Sequence, residues 1–307
     1  MRSNVKEHQD SDRPAHARRQ RRGAADAPER KGRRRPDQSG SGGRSRHLAV
    51  SLADWLTHAR RPPSRKFSES DITPHAEPTG ANRIELGRVV LDALADRAVV
   101  ARLATLIGAD NALARVRAGH KQVARGDFGE AFASACLEQF ENCVVPVRKL
   151  RFKIDPEQTQ PGTDIVAFHL AGDEIESLEF IETKLRTGIS RATAEEAHAQ
   201  LVADNEVRFG DILEFVAERL AETNAEGYEC LMRHLAARGA PTDRVGAFGV
   251  FLVWDQSTWE EEVLDRLNSV TPLLEPLHVR AARLPKLAEL VDEAYASIGI
   301  EAIDDGT

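Results

Sequence analysis

The sequence predicts a mixed α/β domain, a central sheet flanked by helices, behind a disordered basic N-terminal arm. Three observations lead there. The first 48 residues carry 14 Lys/Arg against 6 Asp/Glu, in runs such as Arg18-Arg19-Gln20-Arg21-Arg22 and Arg33-Arg34-Arg35, with no apolar period. Such a segment cannot bury enough apolar surface to offset its chain entropy. From residue 81 onward apolar residues recur at helical spacing, then at strand spacing. The order helix, strands, helices, strand, helix, strand, helix then requires a sheet with helices packed on it. The arm is either a basic contact for nucleic acid or an extension without a selected role.

In chain order, 48–58 reads as a short helix and 60–80 as a Pro- and Ser-containing linker. The organisation is therefore tail 1–48, linker 49–80 and folded domain 81–303. Leu86, Val89, Val90, Ala93 and Leu94 lie on one helical stripe, and 99–106 suggests a second helix ended by Gly108. A longer helix runs from Asp127, an N-cap candidate, to about 141. Its stripe is Phe128, Ala131, Phe132, Ala135, Cys136 and Phe140, with Glu130 off it. Strands follow over 143–153, 164–170 and 178–185, then helices over 191–205, 211–225 and 228–238. The unbroken apolar run 247–254 reads as a strand buried on both faces. A helix over 258–269, a strand over 277–284 and a closing helix over 285–298, with Pro285 at its first position, complete the chain.

Composition excludes several functions. Beyond residue 48 the chain holds 28 Lys/Arg against 43 Asp/Glu, so general electrostatic wrapping of nucleic acid is ruled out and only a local basic groove remains. Cys136, Cys143 and Cys230 lack any C-x-x-C spacing, which excludes a zinc ribbon and a disulfide framework. The best apolar run, 245–254, is half of the ~18 residues that cross a bilayer, and the start lacks a signal-peptide core. A soluble cytoplasmic protein without a membrane partner is expected. No G-x-x-x-x-G-K-[ST] run is present, so any ATP-driven step belongs to another chain.

The chemistry concentrates in Gly162-Thr163-Asp164 and Ile181-Glu182-Thr183-Lys184. Alternation along a strand puts Glu182 and Lys184 on one face. Gly172-Asp173 favours a hairpin turn, and a hairpin symmetric about Asp173 sets Asp164 opposite Glu182. Like charges at that spacing repel, and a divalent cation relieves the repulsion: Mg2+ takes one or two carboxylates and leaves room for phosphate oxygens. A neighbouring lysine can orient water and offset phosphate charge. The competing reading is a solvated pair on a sheet edge, worth little.

Together, Gly129-Glu130 on a helix, Gly162-Thr163-Asp164 on a strand and Glu182-Thr183-Lys184 on the next resemble the PD-(D/E)XK nuclease superfamily. Arg125-Gly126-Asp127-Phe128-Gly129-Glu130, Lys149-Leu150-Arg151-Phe152, Pro161-Gly162-Thr163-Asp164 and Glu182-Thr183-Lys184 are similar to nuclease subunits of Hachiman anti-phage defence systems, over about residues 85–300. The resemblance implies a restriction-endonuclease-like core and Mg2+-dependent DNA hydrolysis, with Mn2+ able to substitute. It implies Asp164 and Glu182 as metal ligands, the Thr183 carbonyl as a further one, Lys184 positioning water or phosphate, and Glu130 as an additional ligand. It also implies a superfamily-2 helicase subunit as partner. Thr163 replaces the proline usual before the metal aspartate, with Pro161 three residues upstream. A stand-alone restriction- or repair-type nuclease and a catalytically silent module that recruits a partner to DNA are the alternatives.

Around this cluster, Lys149, Arg151, Lys153 and Arg186 are candidate phosphate contacts, or else a solvated strand face. His169 falls out of phase with Asp164 and reads as a packing residue. His198 and Gln200 are auxiliary candidates on the following helix, and Trp254 and Trp259 mark core or a partner surface. Because the arm lacks any apolar period, deleting residues 1–48 should leave the melting temperature and any cleavage rate near those of the full chain. A cooperative loss of folding in a thermal scan would refute that.

Overall fold

The structure, a computed structural model, describes residues 51–158, 162–237 and 246–298, all within the compact unit His47–Thr307. The basic arm and Pro161 lie outside the described residues. The elements are β1 (Leu56–Arg60), β2 (Ser68–Pro74), α1 (Gly80–Leu94), α2 (Arg97–Ile107), α3 (Ala109–Ala114), α4 (Lys121–Phe140) and β3 (Cys143–Val144). There follow β4 (Ile165–Ala171), β5 (Glu174–Arg186), α5 (Thr193–Val207), α6 (Phe209–Thr223), α7 (Ala225–Ala237), β6 (Gly246–Asp255), α8 (Glu262–Ser269), β7 (Leu277–Leu284) and α9 (Leu287–Ser297).

The strands form one seven-stranded mixed sheet in the order β1-β2-β7-β6-β5-β4-β3. Its centre is parallel: β6 pairs with β5 on one side and β7 on the other. Nine of the ten residues of β6 are buried, which explains its continuous apolar run, since helices cover both faces. Phe251 and Val253 join the layer of α1, α4 and α9, containing Leu86, Phe128, Phe132 and Leu290. Val250, Leu252 and Trp254 join the layer of α5 to α8, containing Leu201, Leu220, Leu231 and Leu267. Among the described residues no helix is long and apolar enough to cross a membrane.

Several expectations are corrected. Residues 51–80, expected as linker, carry two strands of the sheet, and 51–58, within the expected helix 48–58, is a 3-10 turn followed by a strand. Ser51 caps a 3-10 turn, Leu52–Asp54, and β1 and β2 then extend the sheet, β2 lying parallel to β7. Its sequence, SESDITP, hides the strand because its acids are paired with cations outside it: Arg61 Nε donates to Asp71 Oδ2 at 2.6 Å and Arg65 Nη1 to Glu69 Oε2 at 2.6 Å. The expected strand 143–153 shrinks to Cys143–Val144, because Pro146 has no N–H for the ladder, and Lys149–Phe152 forms a 3-10 turn. Helix α4 begins at Lys121, so Asp127 is interior and not an N-cap. Its start is capped from afar: the His120 N–H donates to Glu157 Oε2 at 2.9 Å, and the Gly119 N–H donates to Glu157 Oε1. Pro285 precedes α9, whose first residue Leu287 donates its N–H to Asp255 Oδ2 at 2.8 Å.

One buried charge cluster ties the sheet together. Glu179 on β5 is fully buried and accepts from Arg280 on β7 at 2.7 and 3.0 Å, from His169 at 2.8 Å, and lies 3.2 Å from His278. Burial alone would raise its carboxyl; the Arg280 guanidinium and the hydrogen bonds from His169 and His278 hold it well below the usual range. His169 therefore packs away from the Asp164 face, as expected, though against a charge. Gly249 makes room: a Cβ there would stand 2.7 Å from Glu179 Oε1 and 2.8 Å from Ile181 Cγ1. Arg280→Met strips buried Glu179 of its permanent counter-charge, leaving only the His169 and His278 contacts, and should cost about 3–5 kcal/mol in urea unfolding. Adding Glu179→Gln should recover part of that loss, whereas additive losses would refute the coupling.

Candidate functional site

The β4–β5 hairpin keeps the register symmetric about Asp173 from Ile165↔Ile181 to His169↔Ser177, and a bulge absorbs one residue beyond that. One step past Ile165 the same register sets Asp164 beside Glu182. The Asp164 carboxylate is fixed there by the chain itself, its Oδ2 accepting the Thr183 N–H at 2.8 Å. Gly162, at φ +88°, turns the chain just ahead of it in the left-handed region that glycine adopts without strain.

Glu182 and Lys184 share a face as the alternation requires. Lys184 Nζ donates to Glu182 Oε1 at 2.5 Å, while Glu182 Oε2 is buried with no hydrogen-bond partner. Helix α4 supplies Glu130 from the opposite layer. Gly129 lets the helix approach, since a Cβ at that position would lie 3.3 Å from Leu185 Cβ and 3.5 Å from Thr183 Cγ2. Glu130, Asp164, Glu182, Thr183 and Lys184 all line one cavity of about 830 Å3.

The electrostatics follow from crowding acids out of water. Burial and the Asp164 charge push the Glu182 carboxyl up to about 7 against the pull of Lys184. Burial and Asp164 likewise place Glu130 well above the usual range. Asp164 is raised by burial, with Lys149 and the Thr183 N–H opposing. Among the described residues no three His, Cys, Asp or Glu side chains converge closely enough to cage an ion unaided. A site of two carboxylates completed by water and substrate oxygens fits Mg2+ chemistry, and the unpartnered Glu182 Oε2 is the donor such an ion would satisfy.

The neighbouring cations are placed differently from the sequence expectation. Lys149 Nζ donates to the Gly162 and Thr163 carbonyls at 2.7 and 3.1 Å, and Arg151 donates twice to the Asp92 carbonyl at 2.8 and 2.6 Å. Arg186 bonds Thr193 Oγ1 and Glu196 Oε2, each at 3.1 Å. All three spend donors inside the protein, where either phosphate contacts or a solvated strand face were expected. His198 is buried and accepts the Leu274 N–H at 3.1 Å, a packing role, whereas Gln200 does line the cavity. Trp254 is core, with Trp259 edge-on at 5.5 Å.

Two acids were missed. Asp127 lines the cavity beside Glu130, paired with Lys153 at 2.6 Å, both side chains nearly out of water. Asp204, buried with Oδ2 unpartnered, accepts from Gln200 at 3.2 Å, and its charge bears on Asp164. Helical spacing from Glu130 (i−3) and from Gln200 (i+4) would have pointed to both.

With this geometry in place, comparison with known families is decisive. A sequence model of the family described as HamA matches residues 43–298, most of the chain. The chain belongs to the HamA family. HamA is a protein of the Hachiman anti-phage defence system, so family membership carries an antiviral role and implies a partner from the same system. No curated protein matches the chain. The HamA match begins before β1, in agreement with the sheet reaching upstream of residue 81.

A carboxyl raised on folding favours the folded state below its unfolded value, roughly 4.3, and that contribution is lost as pH rises through about 7 for Glu182. Without divalent ions, the melting temperature should fall between pH 5 and 8, and Glu182→Gln should flatten the slope. An unchanged slope in the variant would show that Glu182 is not the titrating group.

Proposed function

We propose that this chain is a Mg2+-dependent DNA endonuclease of the PD-(D/E)XK type, the effector of its Hachiman system, acting in the cytoplasm with a superfamily-2 helicase subunit. One observation carries the reading: a buried, half-satisfied carboxylate, Glu182, flanked by Asp164 across the hairpin and by Lys184 at 2.5 Å in an open cavity. A buried carboxylate oxygen without a hydrogen bond is uncommon, and this one belongs to an acid that lines the cavity together with Asp164 and Lys184.

Asp164 and Glu182 would hold Mg2+, or Mn2+ in its place, with the Thr183 carbonyl as a further ligand and Glu130 acting on the ion through its water. When bound, the ion supplies Lewis-acid stabilisation of phosphate charge and lowers the pKa of water. The chain's own residues do the rest. The Thr183 N–H fixes the Asp164 carboxylate, and Glu182 holds the Lys184 ammonium at the cavity. Lys184 orients the attacking water and offsets charge on the scissile phosphate. Water adds to phosphorus and gives up a proton to solvent, the P–O bond to the leaving oxygen breaks, and that oxygen takes a proton from solvent to leave as the hydroxyl. Glu130 lies beyond the hairpin pair and acts as an auxiliary.

Asp164→Ala and Glu182→Ala should each abolish Mg2+-dependent plasmid nicking, assayed together with the product of an adjacent helicase gene. Lys184→Ala should abolish turnover yet retain ion uptake in calorimetry, and Lys184→Arg should not rescue it, because a planar fork cannot replace a compact ammonium. Glu130→Ala should reduce the rate less. Full cleavage by Glu182→Ala would overturn the nuclease reading, and unassisted specific cleavage without a complex would favour a stand-alone enzyme.

A further inference from the structure

The segment 149–153, KLRFK, places three cations beside the acids, the composition of a phosphate-binding strip. Its geometry is that of a clip. Leu150 is buried in the layer of α1 and α4. Arg151 donates both bonds to the Asp92 carbonyl, one of the last of α1 and without a helical partner. Lys153 is neutralised by Asp127 at 2.6 Å, one turn from Glu130 on α4. Lys149 Nζ bridges two successive carbonyls, Gly162 at 2.7 Å and Thr163 at 3.1 Å, which immediately precede Asp164. A phosphate-binding lysine keeps its ammonium turned to the groove; this one is committed to the backbone of the turn that carries the aspartate.

We propose that Lys149 is a positioning residue that sets the Asp164 carboxylate for a divalent cation and does not contact DNA. Asp164 is then held from two sides, by the Thr183 N–H at 2.8 Å on its own oxygen and by Lys149 through the two peptide units before it. Such outer contacts fix the orientation of a ligand, and their loss typically weakens ion affinity by ~10–100-fold. The same ammonium also opposes the crowding of Glu130, Asp164 and Glu182. The inference rests on Asp164 and Glu182 holding a cation, and the test separates the two.

The test uses the full chain, with Mn2+ titrated by calorimetry and, in EDTA, DNA affinity measured against salt concentration. Lys149→Met should bind Mn2+ at least tenfold more weakly, while the slope of log affinity against log salt stays that of the unaltered chain. Lys149→Arg keeps the charge but cannot seat a guanidinium between the two carbonyls, so it too should lose Mn2+ affinity. It guards against a folding defect in the first variant. A salt slope lower by about one in Lys149→Met, the mark of a lost phosphate contact, would overturn the proposal. So would unaltered Mn2+ affinity in both variants. No Mn2+ uptake by the unaltered chain would remove the metal reading itself and this inference with it.

Discussion

Repulsion among carboxylates at the open end of the β4–β5 hairpin is the constraint around which this protein is arranged. Asp164 and Glu182 face each other one register step beyond Ile165↔Ile181, and Glu130 approaches from the other layer. Each neighbour answers that charge: the Thr183 N–H on Asp164, Lys184 on Glu182, Lys149 behind the turn. Gly129 gives up its side chain so that α4 can close on β5. The two apolar layers on either side of β6 supply the stability that lets this crowding persist.

Strand β5 carries two buried glutamates, and their difference separates scaffold from site. Glu179 faces the α4 layer and is fully matched by Arg280, His169 and His278, so its carboxyl lies well below the usual range. Three residues on, Glu182 faces the other way, is matched on one oxygen only and is raised to about 7. Burial is common to both; completeness of partners is not. An acid left half-satisfied beside a cavity is where ligand chemistry is expected, and a completed cluster is where it is not. The parallel strands reinforce the placement, since Glu182 and Lys184 lie towards the carboxyl end of β5, where open α/β sheets bind ligands.

The legible parts of this chain were those fixed by local periodicity. Alternation paired Glu182 with Lys184, the Gly172-Asp173 turn gave the register that brings Asp164 to Glu182, and the apolar run of β6 marked the buried centre. The misread parts were satisfied by distant partners. Strand β2 looks like a linker because Arg61 and Arg65 neutralise its acids, and α4 starts six residues before its apparent cap because Glu157 supplies the cap. Lys149 and Arg151 look like DNA contacts because sequence shows their charge and not the carbonyls that absorb it. Asp127 was read as a cap for the same reason: its partner Lys153 lies 26 residues away.

These internal commitments bear on how a nuclease of this charge would work. Beyond residue 48 the chain carries 15 more acidic than basic side chains, and Lys149, Lys153, Arg151 and Arg186 are engaged within the protein. Lys184 is held by Glu182 at the cavity, where the acids Glu130, Asp164 and Glu182 gather. Such a surface gives duplex DNA little long-range attraction. Under the proposed function, affinity for DNA would therefore come from a partner and chemistry from this chain. On that reading, an enzyme able to cut host DNA would be delivered by its partner rather than left to bind on its own.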